Sequence, residues 1–181
     1  MLTIKTKFTP AVVHKILQAK LIKFEAAIIN RLHFIGEQFV IDARNNSDNI
    51  PFKAYKDQTG NLRSSIGYAI IRNGQIIAEV IDPQPNRDPF EGRTYRTGSR
   101  KGNPISRKVR KDYANKARQI ARRVASEYPK GYLLVGFAGM EYAAAVEAKG
   151  YDVITNATIT AGHSTRKIMG ELITKLNRHG A

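Results

Sequence analysis

Catalysis needs convergent polar groups, and this chain supplies few of them. Its four histidines, His14, His33, His163 and His179, stand on helical patterns or near the chain end. None has the HxxxH or HxH spacing that would bring two imidazoles to one metal. The absence of cysteine removes thiolate nucleophiles, thiolate metal ligands and disulfides together. Neither a G-x-S-x-G elbow nor a G-x-x-x-x-G-K-[ST] phosphate loop occurs, and the glycines between Gly131 and Gly139 lack a following Lys-Ser/Thr. A basic chain raises the question of a nuclease. A metal-dependent one places a carboxylate beside a strand Asp/Glu-x-Lys triplet to hold Mg²⁺. Glu79 and Asp82 lie on the returning strand of a hairpin, but no Lys stands two residues beyond either. No catalytic, cofactor-binding or metal-ligating residue is assigned, and the chain is expected not to be an enzyme.

What the sequence does carry is charge. Lys and Arg number 30 against 15 Asp and Glu, a formal net charge of +15. Residues 87–130 hold 14 basic and 4 acidic side chains, so this quarter of the chain has a net +10. Such a field attracts polyanions: nucleic acid, an acidic membrane or an acidic protein surface. The helix-turn-helix, zinc-finger and basic-zipper patterns are missing, so contact with nucleic acid would be sequence-blind and made through phosphates.

The elements that position these charges follow from periodicity. With 181 residues and 42% hydrophobic content, one globular domain with a buried core is expected over residues 1–181. No apolar run approaches a membrane span, and Lys5, Lys7, Lys15 and Lys20 interrupt any signal-peptide core. Thr9-Pro10 reads as a cap and first helical position. The helix it opens runs to about Arg44, with Val13, Leu17, Leu21, Phe24, Ile28, Leu32, Ile35 and Phe39 on one stripe. At 1.5 Å per residue the helix is roughly 50 Å long, wider than a small domain. Two readings follow: part of the stripe meets another subunit, or one long core helix breaks near Gly36.

A polar loop comes next, then a strand from Ser64, an Asn73-Gly74 turn of type I′, and a partner strand from Gln75 to Ile81. Residues 82–104 are Pro-, Gly- and Arg-rich without periodicity and form a long basic loop. It carries Arg87, Arg93, Arg96, Arg100 and Lys101, interleaved with Phe90 and Tyr95. Either it orders against a neighbouring subunit or it contacts DNA. Ser106 caps a second helix reaching Tyr128, whose basic residues include Arg107, Lys108, Arg110 and Lys111. Tyr132 to Phe137 is almost wholly apolar and is expected in the centre of the sheet. A short helix over 141–149 ends at Gly150, Tyr151 to Ile159 reads as another β run, and a last helix starts near Ser164 or Thr165. The fold class is α+β: a small, mainly antiparallel sheet flanked by a long N-terminal helix, a basic middle helix and a C-terminal helix.

Two patches carry a family resemblance. The first is Asp57-Gln58-Thr59-Gly60-Asn61-Leu62-Arg63-Ser64-Ser65-Ile66, a Thr-Gly-Asn turn feeding a strand. The second is Val135-Gly136 followed by Glu141-Tyr142-Ala143-Ala144-Ala145-Val146-Glu147-Ala148-Lys149-Gly150. Together they resemble the TG-x-LR-x-SI and VG…YA…VE…G signatures of tailed-phage head–tail joining and tail-completion proteins, relatives of minor tail proteins. The order of elements is similar as well. In this chain the signature positions are Thr59, Gly60, Leu62, Arg63, Ser65, Ile66, Tyr142, Ala143, Val146, Glu147 and Gly150. Gly60 would permit positive φ, Leu62 and Ile66 would anchor the turn, and Tyr142, Ala143 and Val146 would pack on the sheet.

The resemblance implies a structural virion protein at the neck, assembled in the cytoplasm of a bacterial host. It implies a hexameric or dodecameric ring around the DNA channel, bound to portal or connector and tail proteins. No cofactor and no membrane contact are expected. The stripe Val13, Leu17, Leu21, Phe24, Ile28, Leu32 and Phe39 would then serve subunit contact. The basic residues of 87–111 would face a partner or packaged DNA. The alternative is a basic protein that binds nucleic acid non-specifically on its own.

Overall fold

The computed structural model describes residues 9–45, 55, 60–81, 94–103 and 113–179. Its elements are α1 (Pro10–Asn45), α2 (Asn61–Ser64), β1 (Ile66–Arg72), β2 (Gln75–Ile81), α3 (Tyr113–Glu127), β3 (Tyr132–Ala138), α4 (Ala143–Ala148) and α5 (Thr155–His179). The three strands form one antiparallel sheet in the order β2-β1-β3. The α+β class expected from the pattern is therefore the observed one.

β1 is the centre of the molecule, and its two faces feed two cores. Ile66, Tyr68 and Ile70 point one way and meet Leu32, Phe39, Val40 and Ala43 of α1 and Ala157 of α5. Ala69 points the other way and meets Ala117 and Ala121 of α3 together with Phe137 of β3. Alternation along a strand produces this division. The result is three layers: α1 and α5, the sheet, then α3. β2 slips by one residue at a bulge opposite Ile70 and Ile71.

The Asn73-Gly74 turn forms as expected, with φ of 50° and 77°. Asn73 also ties the turn to the start of β3: its backbone N–H donates to the Gly131 carbonyl, and its Oδ1 accepts from the Gly131 N–H, both at 2.9 Å.

Gly36 does not break α1, which runs unbroken to Asn45. It makes room. A Cβ at Gly36 would lie 2.4 Å from Cδ2 of Tyr68, and one at Gly136 would lie 2.4 Å from Cζ of Phe39. Each layer thus sends one aromatic ring onto a glycine of the other. Inside that contact the Tyr68 hydroxyl pairs with His33 Nδ1 at 2.9 Å. Burial first, and Glu37 second, push the phenol above its ordinary range, so it stays protonated. Because both rings are walled in, Gly136→Ala is expected to cost about 1–3 kcal/mol through overpacking. Denaturant titration checks this: an unchanged midpoint would show that Phe39 moves aside freely.

Three expectations need correction. β3 is a flank of the sheet, not its centre; it is apolar because α1 and α3 cover it from both sides. Residues 151–159 are not a β run, because α5 already starts at Thr155. Val153 and Ala157 are buried and begin an apolar stripe continued by Ala161, Ile168, Met169 and Leu172, so helical burial overrides the local β preference of Ile and Thr. Finally, β1 begins at Ile66, since residues 61–64 form one helical turn. The proposed start of the middle helix at Ser106 lies outside the described residues.

Candidate functional site

The signature residues converge on joints between elements. Arg63 donates from Nε and Nη2 to the Arg44 carbonyl at 3.1 and 2.8 Å, closing the C-terminal end of α1. Arg44 reciprocates with Nε on the Arg63 carbonyl and Nη2 on the Ile66 carbonyl. Gly60 has φ of 74° and opens the α2 turn. Leu62 is buried with Tyr55, Met140, Ala143 and Val153. Ser65 is fully buried and donates from Oγ to the Leu62 carbonyl at 2.7 Å.

Glu147 has an equally defined task. Its Oε1 accepts from the backbone N–H groups of Val153, Ile154 and Thr155 at 3.3, 2.9 and 3.2 Å, and from Thr155 Oγ1 at 3.0 Å. A carboxylate there satisfies the orphan donors at the start of α5 and complements its dipole. Gly150 (φ 81°) ends α4 as expected. Val146 packs against the Leu62 cluster, but Tyr142, expected on the sheet, is 40% exposed. Thr59 lies outside the described residues. These contacts hold the fold together.

The α1 stripe divides into two parts. Leu32 and Phe39 belong to the chain's own core, which corrects their assignment to a subunit contact. Phe24 and Ile28 are half-buried. Toward the amino terminus the stripe leaves the body: Val13, Leu17 and Leu21 are exposed, Leu17 at 54% and Leu21 at 59%. Val12, Ile16 and Ile22 are exposed beside them. Every residue from Pro10 to Lys23 is exposed, so this arm of α1 is apolar on several sides and covered on none by the described residues. An apolar helix of this kind is ordinarily buried.

The opposite layer presents basic side chains on α3. α3 rests on the sheet through Ala117, Ala121 and Ala125, which lets the helix approach closely and sends Arg118, Arg122 and Arg123 outward. Arg118 pairs with Glu79 at 2.8 Å. Arg122 and Arg123 have no acidic partner among the described residues. Of the loop residues, Arg96, Arg100 and Lys101 are exposed on a turn closed by Tyr95 and Asn103, with Arg100 over the Tyr95 ring. Arg87, Arg93, Arg107, Lys108, Arg110 and Lys111 lie outside the described residues.

A cleft of about 460 Å³ opens between α3 and residues 138–141, lined by Lys116, Gln119, Ile120, Arg123 and Met140. The one carboxylate in it, Glu141, pairs with Lys116. If the α3 face meets DNA, replacing Arg122 and Arg123 by Ser should lower the log–log salt slope of binding by roughly 0.9 for each phosphate no longer neutralised. An unchanged slope in fluorescence anisotropy would place any DNA-binding surface elsewhere.

Among the described residues no group of three or more His, Asp or Glu could hold a metal ion, and no helix is long and apolar enough to cross a membrane. Comparison with family models, curated proteins and solved structures finds no match.

Proposed function

We propose that this chain is a structural protein of a tailed bacteriophage: a neck, head–tail connector or tail-completion component that self-assembles into a ring around the DNA channel and catalyses no reaction. The observation that carries the reading is the α1 arm. A continuous apolar stripe passes from the chain's own core into solvent, which fits a subunit that is incomplete alone. The resemblance at residues 57–66 and 135–150 agrees with it, as does a use of those residues for bracing joints rather than for chemistry. The ring would be hexameric or dodecameric, seated between portal or connector and tail proteins in the virion.

The uncovered Arg122 and Arg123 favour a second reading, a basic protein that binds nucleic acid without sequence preference. Size-exclusion chromatography with light scattering, run with and without DNA, separates the two. The ring reading expects a defined oligomer without DNA. A monomer that gains mass only on DNA supports the second. Portal and major capsid genes beside this one would support the first independently.

A further inference from the structure

The outer side of α1 carries two large apolar side chains that its own fold leaves in solvent. Phe34 is 60% exposed and Ile41 is 51% exposed. Seven residues apart, they share one side of the helix, turned away from the buried Leu32, Ile35, Phe39 and Ala43. Glu37 is three residues past Phe34 and four before Ile41, so it falls between them. It is exposed and has no ion-pair partner among the described residues. Gln38 falls between Phe34 and Ile41 as well, its amide donating to Asp42 at 2.8 Å, so the patch has apolar ends and a polar middle whose charge is Glu37.

The arm offers the complement. Residues 10–23 contain no acidic side chain but carry Lys15, Lys20 and Lys23. Val13, Ile16, Leu17 and Lys20 stand at i, i+3, i+4 and i+7 and so share one side. Leu17 and Ile16 lie about 4.5 and 6 Å from Lys20 along the axis, and Ile41 lies about 6 Å from Glu37, at 1.5 Å per residue.

We propose that the arm of one copy docks antiparallel on the Phe34–Glu37–Ile41 patch of the next copy, with Lys20 facing Glu37 and Ile16 and Leu17 covering Ile41. This rests on the ring reading above and specifies its contact. Donor and acceptor surfaces differ, so each copy gives one arm and receives one. A head-to-tail contact of that kind closes into a ring when its rotation allows.

The chain has no cysteine, which makes the test clean. Leu17→Cys and Ile41→Cys are made singly and together, and treated with a short bis-maleimide. Mixed single variants should give a covalent dimer and nothing larger. The double variant should give a ladder ending at the ring. Leu17→Cys alone coupling to itself as strongly as the mixture would overturn the proposal in favour of arm-to-arm pairing. No Leu17–Ile41 coupling in a chain that still assembles would overturn the contact while sparing the ring. A wild-type chain that light scattering finds monomeric would overturn both. Charge reversal gives a second check, with circular dichroism on the same samples because Glu37 also acts on the Tyr68 phenol. Lys20→Glu or Glu37→Lys should each weaken assembly at least tenfold, and the two together should restore it. A double variant as weak as the sum of the singles would contradict the pairing.

Discussion

Deleting residues 1–22 is expected to abolish self-association and leave a folded chain. The core contacts of α1 come from its second half, from Ile28 through Ala43, and these stay in place. The described residues removed, 9–22, are all exposed. Leu21→Glu should act in the same direction as a point change. At 59% exposure the new carboxylate remains hydrated in the monomer, so stability should move by no more than about 0.5 kcal/mol. In an assembled interface the same carboxylate would be desolvated without a partner, at a cost of about 2 kcal/mol or more, weakening association at least thirtyfold. Ile28→Glu separates the two roles. Ile28 packs against the core cluster, so its replacement should unfold the chain rather than only disperse it. Light scattering and circular dichroism on the same samples decide the matter. A folded deletion variant with wild-type mass would remove the arm from the assembly.

The second large effect is expected at Glu147. Glu147→Ala leaves three backbone N–H groups and the Thr155 hydroxyl without their common acceptor. Hydrogen bonds to a charged group contribute about 1.5–3 kcal/mol, and loss of a helix cap about 1–2. A destabilisation of about 3 kcal/mol is expected for the set, equal to roughly 6–12 °C in Tm for a chain of this size. Glu147→Gln keeps an acceptor oxygen and should cost about 1 kcal/mol. Thermal melts of both variants provide the check. If Ala and Gln behaved alike, the charge on the α5 terminus would matter more than the hydrogen bonds.

These two sites show what is legible in the sequence and what is not. The Asn73-Gly74 hairpin and the full length of α1 follow from local rules: positive φ at a two-residue turn, and a 3.6-residue apolar period. The α1 stripe reports an apolar face without saying what covers it. Leu32 and Leu17 look alike in sequence; only the positions of β1 and α5 make one core and leave the other in solvent. The start of α5 escapes a local reading because Tyr151 to Ile159 is rich in β-branched residues. The determining acceptor, Glu147, sits in a different helix. Asp152 is the local signal for it, since its carboxylate accepts from the Asn156 N–H at 3.2 Å. The stripe Val153, Ala157, Ala161 is the other. The central place of β1 is hidden because its second face carries only one large apolar residue, Ile71, after Gly67 and Ala69, small residues that admit α3. The joint roles of Arg63 and Glu147 are non-local, and the motif marks the residues without giving their task.

Electron microscopy of the purified chain without DNA tests the central claim most directly. Closed rings with a central opening are expected, with a mass in discrete multiples of 20.2 kDa. Single particles of one subunit at every concentration, gaining mass only when DNA is added, would contradict it.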